Sequence, residues 1–315
     1  MSLRKPSTLA LFREARRLPR FSWFDKLHAY VYLRWPYFYI SFAIGEHPLA
    51  QRLGWLSDWF ERLMERPSFT SRRNGDTPRV SFADTYHGKV VPLEAAAKLL
   101  TVNRNIDVRN LERVVPYALA KDIVLTNPDH IVVMECPCRA SRQSPCLPLD
   151  VCLIVGEPFA GFVLEPHPSR SHRITSHEAV EILRAEDERG HVHHAFFKDA
   201  MLGRFYAICN CCDCCCGAMQ AHRHGTPMLA SSGYTASVDP HVCAGCGECT
   251  PYCQFHALEV TDGLNLVDDR RCMGCGICLS KCAHNALRLE RTPEKGQPLD
   301  IVALLEEAAT SPVPH

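Results

Sequence analysis

Residues 243–253 read Cys243-Ala-Gly-Cys246-Gly-Glu-Cys249-Thr-Pro-Tyr-Cys253, and residues 272–282 read Cys272-Met-Gly-Cys275-Gly-Ile-Cys278-Leu-Ser-Lys-Cys282. Both runs have the spacing C-x2-C-x2-C-x3-C, in which three thiolates hold one 4Fe-4S cube while the fourth reaches a second cube. The sequence therefore predicts eight cysteine ligands for two 4Fe-4S clusters. The alternatives are a structural zinc site, which takes two separated ligand pairs, and a disulfide framework, which does not require this spacing.

The two runs, here called the first and the second run, belong to a repeat of 29 positions. Glycines recur at equal places in both runs, and glycine permits positive φ angles and a close approach of backbone N–H groups to cluster sulfide. The sequence thus indicates a duplicated unit. The matching residues outside the cysteines are Val238-Asp239 with Val267-Asp268, Gly245 and Gly247 with Gly274 and Gly276, and Ala257-Leu258 with Ala286-Leu287.

Residues 237–290 resemble the two-cluster ferredoxin domain of bacteria. The resemblance implies that one cluster is held by Cys243, Cys246, Cys249 and Cys282, and the other by Cys272, Cys275, Cys278 and Cys253. One position departs from the family pattern, because the proline that usually follows the fourth cysteine is Gln254 in one run and Ala283 in the other.

The chain has 315 residues, 18 cysteines and a formal net charge of zero. Many cysteines without a secretory signal favour metal binding in a reducing, oxygen-poor setting over a disulfide scaffold. We expect a cytoplasmic protein from an anaerobe. The predicted divisions are a helical, aromatic-rich basic region at 1–66, a linker at 67–80, a cysteine-rich domain at 81–236, the ferredoxin-like domain at 237–290, and a tail with a short helix at 291–315.

Residues 27–44 are dense in aromatic side chains but are interrupted by Arg34 and Pro36, so they are too short and broken for a spanning helix. They suit either packing against the core of the chain or a helix at a membrane surface or a partner protein. We therefore assign peripheral membrane contact or docking in a complex to residues 21–66. The basic residues near the start are too dispersed for a nucleic-acid surface, and we expect no nucleic-acid partner.

The middle domain is predicted to mix helices and strands, as α+β or α/β. Pro92 and Pro116 are each placed to begin a helix, and Asn127-Pro128 is placed to end the second one. A capping box at Thr175-Ser-His-Glu178 predicts a helix over 179–189 that Gly190 ends. Three short β-branched or aromatic runs predict buried strands at 131–134, 151–155 and 205–208.

The ten remaining cysteines follow these strands or lie in them, and six of them occupy the eight positions 209–216. If the first and third strands are parallel, their cysteines meet at one sheet edge and form a pocket for a third iron-sulfur cluster or another metal. We select Cys136, Cys138, Cys209 and Cys212 as its ligands. Cys146 and Cys152 come next, although Cys152 in an apolar strand favours a core position. A cysteine redox pair and unliganded buried thiols are the alternatives.

Three histidines, His191, His193 and His194, are candidates for ligation or proton transfer, although histidines more often bond to backbone or lie in solvent. The motifs Cys136-Pro-Cys-Arg139 and Ile208-Cys-Asn-Cys-Cys212, followed by the two runs, make residues 80–295 similar to the uncharacterised 4Fe-4S dicluster-domain proteins of anaerobes. Neither a dinucleotide fingerprint nor a phosphate-binding loop occurs in the sequence.

The sequence favours an iron-sulfur electron-transfer protein that works with redox partner proteins. One alternative is an iron-sulfur reductase, an oxidoreductase whose substrate binds a cluster in the Cys136/Cys209 pocket. Coordination separates the two, because a cluster with four cysteine ligands transfers electrons whereas an open iron is a Lewis acid. The second alternative is a docking or assembly subunit of a larger redox complex.

Overall fold

The computed structural model describes residues 5–18, 21–52, 82–117 and 119–310. The predicted linker at 67–80, and residues 53–66 of the predicted N-terminal region, lie outside the described residues. Helices and strands are mixed along the described chain, and its main sheet curls into a half-barrel. This agrees with the expected α+β class.

The main sheet has eight strands in the order β2-β3-β4-β7-β6-β1-β8, and β5 pairs with the edge of β3. All pairings are antiparallel except that of β1 with β8. The strands are β1 Tyr86–Val90, β2 Ile106–Val108, β3 Ile123–Glu135, β4 Asp150–Glu157, β5 Ser171–Ile174, β6 Val192–Lys198, β7 Arg204–Cys211 and β8 Leu229–Ala230. The three predicted strands are confirmed, and they lie within β3, β4 and β7.

Alternating side chains of the sheet supply two hydrophobic cores. Ile131 and Val133 face one core, whereas Val132 and Met134 face the other. The first core is closed by α6 Leu93–Thr101, α9 Ser176–Glu188 and α12 Ile301–Thr310. The second core is closed by α1 Pro6–Ala15, α2 Trp23–Arg34, α3 Pro36–Ala43 and α8 Phe159–Leu164. The remaining helices are α4 Pro48–Arg52, α5 Phe82–Thr85, α7 Pro137–Ala140, α10 Gly217–Arg223 and α11 Ile277–Ser280.

Local sequence signals identified two helices correctly and one wrongly. The capping box of Thr175 and Glu178 is present, and Gly190, with φ of +83°, follows the end of α9. The helix expected from Pro92 is α6. The helix expected from Pro116 is wrong, because residues 123–125 pair with β2 and Asn127 lies at an irregularity inside β3. Strand pairing with a distant segment overrode the local helix signal.

The aromatic segment at 27–44 folds as parts of α2 and α3, which are separated at Trp35. Tyr32 and Leu33 are buried against the second core, as expected for packing on the chain itself. Trp23 and Phe24 at the start of α2 are 75% and 58% exposed. The segment therefore has a buried face and an exposed aromatic end. Among the residues that the structure describes, no helix combines the length and apolar character needed to cross a membrane.

The two cysteine runs lie between short strands at the C-terminal end of the fold. The strands are β9 Tyr234–Val238, β10 Leu258–Thr261, β11 Leu264–Val267 and β12 Leu287–Arg291. β9 pairs with β12, and β10 pairs with β11, both antiparallel. Each half is thus a strand, a cysteine run and a second strand, and the halves are interleaved by their pairing.

Candidate metal centres

The two halves of residues 234–291 are matched bond for bond. The backbone N–H of Asp239 donates to the carbonyl of Ala286 at 2.8 Å, and that of Asp268 donates to the carbonyl of Ala257 at 2.8 Å. Each donor and each acceptor has its counterpart 29 positions away. The sequence repeat is therefore also a repeat of backbone structure.

One glycine in each run lies where no other residue fits. Gly245 and Gly274 have φ of +62° and +65°, a backbone region that residues other than glycine rarely adopt. A Cβ on Gly245 would overlap the carbonyl oxygen of Gly263, and a Cβ on Gly274 would overlap that of Tyr234. Backbone from the other half thus approaches each run at the same point. These contacts fix the conformation in which the cysteines are presented.

Three cysteines of the second run and the last cysteine of the first run surround one small cavity. Cys253, Cys272, Cys275 and Cys278 all line it. Burial, followed by the neighbouring Cys253 and Cys272 thiols, raises the pKa of Cys275 to about 12. The cavity therefore brings together the four thiols that the ferredoxin resemblance assigns to one cluster.

The other predicted set lies nearer the surface. Burial and the nearby Cys282 and Cys246 thiols raise the pKa of Cys249 above its ordinary value. Cys246 is exposed and Cys243 is half-buried. The side-chain amide nitrogen of Asn265 donates to Cys249 Sγ at 2.8 Å.

Backbone donors are aimed at the last cysteine of each run. The N–H of Ala257 lies 3.2 Å from Cys253 Sγ, and the N–H of Ala286 lies 3.3 Å from Cys282 Sγ. Such donors favour the charged thiolate, which is the form that binds metal. The four thiols around the small cavity are a donor set that fits an iron-sulfur cluster, and both runs repeat the same glycine contact and N–H donor.

The other ten cysteines meet at one edge of the main sheet. β3 and β7 are both antiparallel to β4, so they are parallel to each other. Cys136 directly follows β3, and Cys211 is the last residue of β7. The convergence expected from parallel first and third strands is confirmed.

Six of these thiols form a buried or half-buried group, here called the inner cysteines. They line a cavity of about 60 Å³ between the sheet and the N-terminal helices. Their free thiols form a chain of hydrogen-bonding contacts, in which Cys152 lies between Cys136 and Cys209. The bond with Cys138, together with burial, raises the pKa of Cys136 to about 12. The inner cysteines are Cys136, Cys138, Cys152, Cys209, Cys211 and Cys216. Cys212 and Cys215 also line this cavity.

Aromatic residues also line this cavity. The hydroxyls of Tyr32 and Tyr206 are 2.8 Å apart. Lys198 Nζ lies 4.7 Å from the ring centre of Tyr32 and 4.6 Å from that of Tyr86. Burial lowers the pKa of Lys198 to about 8. Cysteine thiols and tyrosine side chains thus line one cavity, and Lys198 lies next to two of its aromatic rings.

The remaining four thiols form a second group, here called the outer cysteines. Their sulfurs all lie within 4.8 Å of one another. The distance is 3.1 Å between the sulfurs of Cys146 and Cys214, and 3.6 Å between those of Cys214 and Cys215. The outer cysteines are Cys146, Cys212, Cys214 and Cys215.

All four predicted ligands of the third site, Cys136, Cys138, Cys209 and Cys212, line the cavity of the inner cysteines. Cys212 also belongs to the outer cysteines. The cause is a turn, since the carbonyl of Cys212 accepts the N–H of Cys216 at 3.0 Å. Such a turn brings residues three apart to one side, a placement that an extended chain would not give. The C-x-x-C spacing of Cys212 and Cys215 was the signal for this group.

The arginine of the Cys-Pro-Cys-Arg motif ties the two cysteine segments together. Arg139 is 1% exposed and donates to Glu186 Oε2 at 2.5 Å. It also donates to the carbonyl of Asn210 at 3.0 Å, and the amide of Asn210 donates to the carbonyl of Val151 at 2.8 Å. Residues of both motifs are thus in direct contact. Sequence reasoning had given neither Arg139 nor Glu186 a role.

Two of the three candidate histidines belong to this same network. His191 Nδ1 lies 2.7 Å from Glu186 Oε2, and His193 Nδ1 lies 2.6 Å from Asn210 Oδ1. His194 is fully buried, and its ring nitrogens have no hydrogen-bond partner within the described part of the chain. Burial lowers the pKa of His194 to about 3. These contacts give His191 and His193 a positioning role.

Gln254, at the position where the ferredoxin family usually has proline, joins the two regions. Its side-chain oxygen accepts the backbone N–H of Asp213 at 2.8 Å, and Asp213 lies between two outer cysteines. His256 Nε2 is 2.9 Å from the Asp213 carboxylate. A proline at this position has no side-chain amide, so the contact with Asp213 depends on Gln254.

Replacing Gln254 by leucine removes this acceptor, and a hydrogen bond of this kind contributes about 1 kcal/mol. We expect the Asp213 amide to exchange about fivefold faster in hydrogen-exchange mass spectrometry, because 1 kcal/mol changes a local equilibrium by about that factor. Gln254→Glu is the control, since it keeps an acceptor oxygen. Equal acceleration in both variants would contradict this assignment.

Scans of the chain against models of protein families and against curated proteins gave no match. The fold and the sites define a cysteine-rich protein of mixed helix and strand with a cysteine group that could bind a metal. Its function is therefore inferred from the geometry of these sites.

Proposed function

We propose that this protein is an iron-sulfur electron carrier with two 4Fe-4S clusters in its ferredoxin-like half. The supporting observation is that Cys253, Cys272, Cys275 and Cys278 line one cavity, the set that the resemblance implies for one cluster. Cys253 completes the cavity of the second run, while Cys282 lies near Cys249 of the first run. Each fourth cysteine thus crosses to the other half. Clusters bound there would supply one-electron transfer.

The two sets of cysteines differ in their surroundings, one being near solvent and the other near the inner cysteines. The exposed Cys246 gives a redox partner access to the set that contains it. Cys275 and Phe255 pack against the hydrophobic core that contains Cys136 and Cys152. The second set therefore lies on the side of the inner cysteines. We propose that the inner cysteines hold an additional cluster, which extends the relay into the main sheet.

Iron and acid-labile sulfide, measured on protein prepared without air, test this proposal. Two clusters give about eight irons and eight sulfides per chain, and an additional cluster gives about twelve of each. Cys275→Ser should lower both by about four, because it removes a ligand from one cluster. Electron paramagnetic resonance should then show one ferredoxin-type signal fewer.

The control is Met273→Leu, a conservative change inside the same run, which should leave iron and sulfide unchanged. Colourless protein without sulfide would reject the proposal. So would a Cys275→Ser variant that keeps its full iron content.

A second candidate is an iron-sulfur reductase, which is favoured by the cavity that the inner cysteines and the tyrosines line. Lys198 and the hydroxyl of Tyr206 would supply protons there. Cyanide should then alter the resonance of the additional cluster, since an open iron accepts an external ligand. A fully thiolate-ligated cluster would not respond.

A third candidate is a docking or assembly subunit, which is favoured by the exposed Trp23 and Phe24. In that case the intact chain should retain a stable partner in a pull-down, and W23A/F24A should lose it. Intact chain that stays monomeric and captures no partner would reject this candidate.

A further inference from the structure

The outer cysteines have the geometry of a mononuclear site. Tetrahedral zinc with Zn–S bonds of about 2.3 Å places its sulfurs about 3.8 Å apart. The outer sulfurs lie within 4.8 Å of one another, and two of their separations are 3.1 and 3.6 Å. A 4Fe-4S cube holds its cysteine sulfurs farther apart, because the whole cluster lies between them. The spacing therefore suits one ion without bridging sulfide.

A polar network fixes the backbone that carries these thiols. Arg142 Nη2 donates to the carbonyl of Cys215 at 3.1 Å, and Gln220 Nε2 donates to the carbonyl of Cys214 at 2.9 Å. Arg142 also donates to Gln220 Oε1 at 2.6 Å, so the two supports hold each other. Partners of this kind orient metal ligands in known sites.

Charge at the site also suits a thiolate-bound ion. Four thiolates around one divalent ion leave a net charge of about −2, which nearby cations stabilise. Arg142 lies against the loop through the Cys215 carbonyl, and the charge of Arg139 interacts with Cys212. Cys212 and Cys215 are buried, and Cys214 is exposed. The site is therefore buried at Cys212 and Cys215 and open to solvent at Cys214.

We propose that Cys146, Cys212, Cys214 and Cys215 bind a single tetrahedral divalent ion, Zn²⁺ or Fe²⁺, without sulfide. The ion joins the segment after α7, which carries Cys146, to the loop after β7, which carries the other three. It thereby holds Asp213 in place beside Gln254. The site is separate from both cysteine runs, although Cys212 and Cys215 also line the cavity of the inner cysteines. A single ion without sulfide goes beyond the proposed electron-transfer function.

Elemental analysis of air-free protein tests the site. We expect about one zinc per chain, or about one iron in excess of the acid-labile sulfide. The double variant C146S/C214S should bind at least tenfold less of that ion, while sulfide and its matching iron stay unchanged. Asp213→Asn, which lies between two of the ligands, should keep the ion and serves as the control.

X-ray absorption at the edge of the bound metal tests the same site in unaltered protein, which covers a variant that fails to fold. For zinc, we expect four sulfur neighbours at about 2.3 Å and no nearby iron. If iron is the ion, its sulfur-only signal should be the difference between unaltered protein and C146S/C214S.

Four results would overturn the proposal. The first is unaltered protein with neither zinc nor excess iron. The second is retention of the ion by C146S/C214S. The third is loss of sulfide together with iron in that variant, which would place a cluster there. A disulfide between Cys146 and Cys214 in air-free protein would equally exclude the ion. Sulfide from the two runs is counted separately, so failure here is distinguishable from failure of the electron-carrier proposal.

Discussion

Replacing Gly245 by alanine is expected to cost the protein at least one of the two proposed 4Fe-4S clusters. The added Cβ would overlap the carbonyl oxygen of Gly263, which belongs to the turn joining β10 and β11. The φ of +62° at Gly245 disfavours alanine further. The first run must therefore move away from the second half, and its thiols leave their common site. Iron and sulfide should fall by about four each, measured on air-free protein.

Gly247→Ala is the matched control, in the same run and at a similar positive φ of +74°. A Cβ there meets only Val260 Cγ2, at an ordinary contact distance of 3.4 Å. Gly247→Ala therefore has only the cost of a positive φ at alanine, about 1–2 kcal/mol. This variant should keep its iron. Equal iron contents in the two variants would show that close approach of the two backbones does not matter.

Replacing Arg139 by methionine is expected to lower the free energy of unfolding by about 3–5 kcal/mol, because it leaves Glu186 buried without its main cation. Arg139 and Glu186 are 1% and 0% exposed, and Arg139 also holds the carbonyls of Asn210 and Pro148. Denaturant unfolding followed by circular dichroism measures the change.

Arg184→Met provides the comparison, because Arg184 lies on α9, the helix that carries Glu186. Arg184 pairs with Glu181 at 2.7 Å, but both side chains are more than half exposed. Exposed pairs of this kind contribute about 0–1 kcal/mol. A loss for Arg139→Met no larger than that for Arg184→Met would mean that the buried pair does not stabilise the fold.

The effect of Arg139→Met should also depend on pH. Burial acts to raise the pKa of Glu186, but the hydrogen bond with His191 and the charge of Arg139 hold it below its ordinary value of 4.5. A lowered pKa contributes stability above the ordinary value, and this is lost as the pH falls through the folded value. The difference between unaltered protein and Arg139→Met should therefore be full at neutral pH and shrink in acid.

Sequence reasoning succeeded where local residues decide the structure. The capping box at Thr175 needs only four neighbouring residues, and the strand at 131–134 needs only a β-branched run. The expected helix from Pro116 failed because the partner that decides residues 123–125 is β2, about twenty positions earlier in the chain. A single stretch contains no information about such a partner.

The candidate sites follow the same division. The two cysteine runs could be recognised from their spacing alone, and the cluster assignment that follows from this spacing stays a prediction. The grouping of Cys212 with Cys214 and Cys215 depends on a turn that local composition does not specify. Arg139, Glu186 and Asn210 come from three distant segments, so their contact emerges only when the strands are paired.

One position breaks the match between the two halves. Asn265 and Ala236 correspond, being 29 positions apart, but only Asn265 has a side-chain amide, 2.8 Å from Cys249 Sγ. Ala236 offers a longer backbone contact of 3.4 Å to Cys272 Sγ. Since hydrogen bonds to sulfur help to set reduction potential, the half containing Cys249 would be the easier to reduce. An added electron would then rest at the exposed end of the molecule, where a colliding acceptor can collect it.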